Sequence, residues 1–360
     1  MTKEIKDEMK EETKELASKS NQILAGLNSL AAKLDVIEQQ SSKRHFEQKR
    51  FKDIHHEKQY YKDFPTSDAD DPCFKEKFLN LVKGLDKESV RQVSQIIYRL
   101  KSLKAAKDDL LPEFTEDEIE KITYIKNCFD NDIIRLSENC FFYDGYVLPN
   151  ARFEPCIFLD GCSTKHLEVC SRFENKDIID AGAYIGDTSL IFSKMTSGKV
   201  YAFEPTEKNY QDMLSTIKMN GLDNVVPCKL GLGDKKGKMS MTNALVSSSN
   251  AFVEKSSMPY MCTEEVDVVT LDDFVKEHNL QVGLIKTDVE GAEQMLLEGA
   301  MQTICAQKPS LLISIYHNAS DFYTIKPMLE NLNLGYEFKI RHPTIGTILM
   351  ETMLIAEVKE

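Results

Sequence analysis

Along residues 1 to 62 there is no proline and a single glycine, and the apolar positions fall at helical spacing. Ile23, Leu27, Leu30, Leu34 and Ile37 alternate four and three residues apart, which places them on one seam of a heptad and predicts a coiled coil between copies of the chain. Traced backwards, the register meets Met9 and Leu16 on one set but Thr13 and Ser20 on the other, so its strong part spans about two heptads. A helix folded back on its own chain is the alternative. The stretch "KRHFEQKRFKDIHHEKQYYK" mixes basic residues with aromatics; such a face is either solvated or set against a membrane surface or nucleic acid. "DFPTSDADDP" gathers two prolines and four acids and reads as a linker.

From about 73 the pattern is helical again. Val90, Val93, Ile96, Ile97 and Leu100 line one face, and Thr115 to Glu118 has capping-box spacing. The stretch 73–150 is therefore expected to be a helical module. From about 174 the texture changes: "DIID", "KVYAFEP", "NVVPCKL", "VGLIKTD", "PSLLISIYH", "YEFKIRH" and "ETMLIAEV" are seven strand candidates with amphipathic helices between them. This alternation predicts an α/β fold over 151–360, a mostly parallel sheet covered on both faces, with its ligand beyond the C-terminal ends of the strands. Between the third and fourth strands the run from Lys235 to Val269 exceeds a minimal crossover; it reads as a β-hairpin or lid able to meet a polar acceptor.

The formal net charge of -13 speaks against a protein that grips nucleic acid and favours a cationic ligand. Nine cysteines without a C-x-x-C pair read as reduced, mostly buried thiols. Cys156, Cys162 and Cys170 are close in sequence but irregularly spaced, and no metal is expected. No stretch approaches the roughly 20 apolar residues of a membrane span and the N-terminus has no apolar leader, so a cytoplasmic location is expected.

The turn after the first of these strands, "DAGAYIGD", narrows the ligand. A dinucleotide fingerprint needs G-x-G-x-x-G against a pyrophosphate, and here Asp180 stands in place of its first glycine. A carboxylate repels pyrophosphate but suits an ammonium group. Gly182 permits a sharp turn, and Gly186 permits close packing or close approach to a ligand. The ligand should thus carry a cationic amino group and a carboxylate, as S-adenosylmethionine does, with Ala183, Tyr184 and Asp187 completing the cradle. Glu204, followed by Pro205, ends the second strand 24 residues later and can accept hydrogen bonds from ribose hydroxyls. Gly231 and Leu232 fall where an adenine edge should pass, with Asp234 able to reach its amino group. In "KTDVEGAE", Asp288 should face the methyl group and Glu290 the acceptor, though Glu290 also reads as a helix-start acid. His317 is a candidate base in its neutral form, or else a structural histidine, with Asp288 and Glu290 as rivals. Tyr316 is weaker, and His342, before Pro343, reads as structural.

Taken in order, "DIIDAGAYIGDTS", "YAFEP", "LGLGDKKGKM", "VDVVTLDDF", "IKTDVEGAEQMLLEGA" and "KPSLLISIYH" resemble the FkbM-type family of S-adenosylmethionine-dependent methyltransferases over roughly residues 140 to 360. The resemblance implies a Rossmann-like, seven-stranded class I methyltransferase sheet and methyl transfer to a hydroxyl of a sugar-like or polyketide-like acceptor. Two other readings stay open: an NAD-linked oxidoreductase, disfavoured by Asp180, and an interaction protein that binds ligand without turnover.

Overall fold

The computed structural model describes residues 60–105, 114–243 and 262–359. The heptad seam of Ile23 to Ile37 and the middle of the Lys235–Val269 run lie outside these residues.

Seven strands build the central sheet: β1 (Asp177–Ala181), β2 (Val200–Phe203), β3 (Val225–Cys228), β4 (Val282–Thr287), β5 (Ser310–Ser314), β6 (Tyr336–Arg341) and β7 (Met353–Val358). Their order is β3-β2-β1-β4-β5-β7-β6. Strands β1 to β5 pair in parallel, and β7 runs antiparallel to both β5 and β6. All seven sequence candidates become these strands. Continuous apolar runs such as Val200–Phe203 and Ser310–Ser314 are buried at every position, as strands covered on both faces must be. Strand order reverses between β1 and β4, so a cleft opens beyond their C-terminal ends.

The preceding region is only partly helical. Helices Phe74–Val82 and Lys87–Ala105 form as the periodicity predicts, and Thr115 caps the next helix through the reciprocal Thr115–Glu118 capping box. Residues 134–148, however, fold as a three-stranded antiparallel meander, Ile134–Ser137, Cys140–Tyr143 and Tyr146–Leu148. The signal was local: Asp144 and Gly145 have φ of 44° and 85°, the two left-handed positions of a tight hairpin turn for which Asp-Gly is suited. The linker reading of 63–72 also gives way to packing. Phe64 is buried against the rings of Phe322 and Tyr323, and Tyr323 Oη donates to Pro65 O at 2.8 Å.

Three contacts fix the helices to the edge of the sheet. Ser89 Oγ accepts from Ile340 N at 2.9 Å, Arg341 pairs with Asp86 at 2.8 Å, and Gln92 Oε1 accepts from His342 N at 2.8 Å. The long excursion begins and ends as an antiparallel pair, Gly237–Asn243 with Cys262–Val269, and Gly231–Leu232 adds a short parallel strand to it. Cys73, Cys128, Cys170 and Cys305 are exposed, against the expectation of mostly buried thiols; they sit on outward-facing turns and helix surfaces, where nothing covers them. Among the described residues no helix is long and apolar enough to cross a membrane.

Candidate active site

A cavity of about 240 Å³ opens at the C-terminal ends of β1, β2 and β4. Its walls include Gly182, Tyr184, Asp187, Glu204, Pro205, Gly231, Leu232, Asp288 and Glu290 from the sequence reading. The structure does not bring Asp180, Ala183, Gly186, Asp234 or His317 to this wall.

Asp180 is fully buried and already engaged. In the β1–β4 register it sits opposite Lys286, so the two side chains share a face. Thr188 Oγ1 and Ser189 Oγ each donate to Asp180 Oδ2 at 2.7 Å. Lys286 Nζ lies 3.3 Å from Asp180 Oδ1, a Coulombic contact off the line of a hydrogen bond, and donates to Gly182 O at 2.8 Å. Burial alone would push the lysine's pKa down; the Asp180 charge overrides it and holds the amine cationic. Asp180 therefore anchors the loop through Lys286 and is not free to meet a ligand's ammonium group. The hint lay in the sequence: a lysine inside the apolar run "VGLIKTD" must be buried with a partner.

Gly182 serves a close approach of backbones. At φ 74°, a Cβ there would lie 1.8 Å from Asp288 O, so only glycine lets the β1 and β4 loops touch. Gly186 packs on the helix Glu207–Asn220, where a Cβ would meet Met213 Cγ at 3.2 Å. Tyr184, also left-handed at φ 49°, presents its ring to the cavity between these glycines.

Glu204 is buried yet faces the cavity. Its Oε1 accepts from Thr206 N at 2.9 Å and Thr206 Oγ1 at 2.5 Å. Burial raises its pKa to about 7 against these donors. Asp187 is likewise raised to about 7 by burial. Across the cavity, Glu351 is raised to about 8 by burial and then by the Asp288 charge; it accepts from Tyr316 Oη at 3.2 Å and from Cys156 Sγ at 3.4 Å. Tyr316 Oη also lies 3.3 Å from Asp288 Oδ1. Glu351, Glu154 and Cys156 line the cavity and were missed from the sequence, because they come from segments outside the strand-end pattern.

His317 sits behind Asp288 and Glu290. Its Nε2 is 3.3 Å from Asp288 Oδ1 and 3.5 Å from Glu290 Oε2, and its Nδ1 is 2.9 Å from the fully buried Glu293 Oε1. Burial opposes its charge, but Glu293, Asp288 and Glu290 together lift its pKa to about 10. The ring is thus cationic at neutral pH, and the reading of His317 as a neutral base is corrected. Glu290 is held at φ 55° and followed by Gly291 at φ 95°; this left-handed pair turns its carboxyl into the cavity, at a cost of about 1–2 kcal/mol for the non-glycine. Burial raises Glu290 to about 7, partly offset by His317. His342 is structural: its nitrogens lie 3.1 Å from Thr352 Oγ1 and Thr347 O, and burial lowers its pKa to about 4.

Residues 180–338 match the family model described as the methyltransferase FkbM domain. The chain is 25% identical over 207 residues to methyltransferase 1 of Beauveria bassiana (strain ARSEF 2860), covering 52% of this chain and 81% of that protein. It is 26% identical over 174 residues to methyltransferase sdnD of Sordaria araneosa, covering 40% and 66%. Among solved structures, methyltransferase FkbM from Methylobacillus flagellatus KT is similar with a TM-score of 0.49 and 20% identity, over 80% of this chain; the likeness spans 60% of that protein's length. Residues 180–338, which include most of the residues lining the cavity beyond β1, β2 and β4, thus match the methyltransferase FkbM domain.

Proposed function

We propose that the chain uses S-adenosylmethionine to methylate a hydroxyl of a sugar, glycan or related small molecule. The observation that carries this is the charge of the cavity. Glu154, Asp187, Glu204, Asp288, Glu290 and Glu351 line it against one lysine, Lys286, whose charge is already matched by Asp180. A wall of that sign, with several carboxyls raised by burial, favours a ligand bearing ammonium and sulfonium charges. When bound, the donor supplies a methyl group made electrophilic by its sulfonium.

The chain's own residues would then bind and align. Glu204, held by Thr206, offers its carboxylate to the ribose hydroxyls, with Pro205 beside it. Gly231 and Leu232 flank the adenine. Gly182, Tyr184 and Asp187 shape the end that receives the methionine portion, while Asp180, Lys286, Thr188 and Ser189 hold that loop from behind. Asp288 and Glu290 take the acceptor hydroxyl and orient it toward the methyl group, and alignment itself supplies much of the rate enhancement. His317 acts on them through its charge from behind the wall. The reading further places the protein in the cytoplasm, with residues 1–62 joining copies, 73–150 as a module beside the catalytic domain, and 151–360 as that domain.

Incubation of the full chain with methyl-labelled donor and fractionated cell extract tests the proposal. Label entering a carbohydrate or small-molecule fraction in an alkali-stable ether linkage is expected. Label entering amines or protein, or no donor binding at all, would overturn it.

A further inference from the structure

Behind the acceptor wall, three carboxylates surround one buried imidazole. We propose that Asp288, Glu290 and His317 bind a divalent cation, with Glu293 orienting the imidazole.

The distances carry this. His317 Nε2 stands 3.3 Å from Asp288 Oδ1 and 3.5 Å from Glu290 Oε2. Metal–ligand bonds of about 2.0–2.2 Å put tetrahedral neighbours roughly 3.3–3.6 Å apart, so Nε2 already stands at the spacing of a neighbouring ligand from each of the two oxygens. One ligand atom each from Asp288, Glu293 and His317 also falls within 4.8 Å of the others. Glu293 Oε1 lies 2.9 Å from Nδ1 and is fixed by Val289 N at 2.9 Å. A carboxylate on one imidazole nitrogen holds the proton there and leaves the lone pair of the other nitrogen for a metal.

An independent observation agrees. His317 is 3% exposed at its side chain, and its Nε2 makes no well-directed hydrogen bond. Buried polar atoms are almost always satisfied, and an ion between Nε2 and the two carboxylates would satisfy the nitrogen. Binding would displace the proton that the carboxylates otherwise hold on Nε2; the two carboxylates and the resulting neutral imidazole carry charge -2, which a divalent cation cancels. A nitrogen ligand beside two oxygens suits manganese or zinc better than calcium. Because Asp288 and Glu290 line the cavity, the ion's open positions would face the acceptor. Its service to that acceptor rests on the methyltransferase reading; its binding does not.

Chelator-treated full-length protein titrated with Mn²⁺ alone tests this. One site per chain is expected, with a histidine nitrogen coupled to the manganese in pulsed electron paramagnetic resonance. Glu290→Gln and His317→Gln should each weaken Mn²⁺ at least tenfold, and His317→Gln should abolish the nitrogen coupling. Glu293→Gln, a positioning change, should weaken it less and keep the coupling. Thermal melts and calorimetric donor titrations on the same proteins show that each is folded. Absence of Mn²⁺ binding below millimolar concentration in folded wild-type protein, or unchanged affinity in folded Glu290→Gln and His317→Gln, would overturn the site. Donor binding with no metal would sink the ion alone; metal binding with no donor would sink the methyltransferase reading alone.

Discussion

Replacing Lys286 by methionine tests the anchoring of the cavity loop. The change keeps the length of the side chain in its apolar surroundings but removes the amine that donates to Gly182 O at 2.8 Å and stands 3.3 Å from Asp180 Oδ1. Asp180, fully buried, would keep Thr188 and Ser189 as donors and lose its counter-charge. Breaking a buried ion pair from one side costs about 3–5 kcal/mol. At about 2–4 °C per kcal/mol for a domain of this size, the melting temperature should fall by roughly 6–20 °C. Adding Asp180→Asn removes the stranded charge and should recover about half of the loss or more, a coupling that a double-mutant cycle reads directly. Denaturant unfolding of the four proteins, wild type, Asp180→Asn, Lys286→Met and the double variant, gives the numbers. A cost under about 1 kcal/mol for Lys286→Met, or a double variant no more stable than the single, would refute the reasoning.

Gly182→Ala forces a Cβ to within 1.8 Å of Asp288 O at a left-handed φ; a loss of about 2–4 kcal/mol and of donor binding is expected in thermal melts and calorimetry. Glu204→Ala should weaken the donor at least tenfold by calorimetry, since both ribose hydrogen bonds go. Because the Glu204 pKa is raised to about 7 and its charged form is the better acceptor, wild-type donor affinity should rise about tenfold from pH 6 to pH 8, a dependence that Glu204→Gln should flatten. Asp86 is partly desolvated, yet Arg341 and the Ser89 amide lower its pKa to about 2. Its contribution is full above the unfolded value of about 3.9 and lost as pH falls toward 2, so Asp86→Asn should show a shallower acid loss of stability in that window. Deleting residues 1–53 should lower the oligomeric state by light scattering with donor binding intact; the cut spares Tyr61, which is buried against Phe64.

What the residues disclosed before the structure followed from periodicity. Strands buried on both faces are written as unbroken apolar runs, so all seven could be read, and the strand-end rule located Glu204, Gly231 and Asp288 on one rim. The failures were of a different kind. Asp180 was placed correctly at a strand end, but its partner Lys286 is 106 positions further along, and only the β1–β4 register makes them neighbours. Glu351 and Glu154 reach the cavity from loops with no period at all. The charge favoured on His317 depends on three carboxylates, Asp288, Glu290 and Glu293, that follow β4, two of them from residues that the same reading had assigned to other tasks. The meander at 134–148 is the exception, since its Asp-Gly turn was visible and the helical context masked it.

The contact between Gly182 and the Asp288 carbonyl has a mechanical consequence. With no room for even a methyl group between them, the segment that would receive the methyl donor and the segment that would receive its target are wedged into one rigid corner. Such a corner cannot breathe by parting along that seam. Any motion that admits or releases a ligand would then have to come from other parts of the wall, among them the strand Gly237–Asn243 that carries Met241.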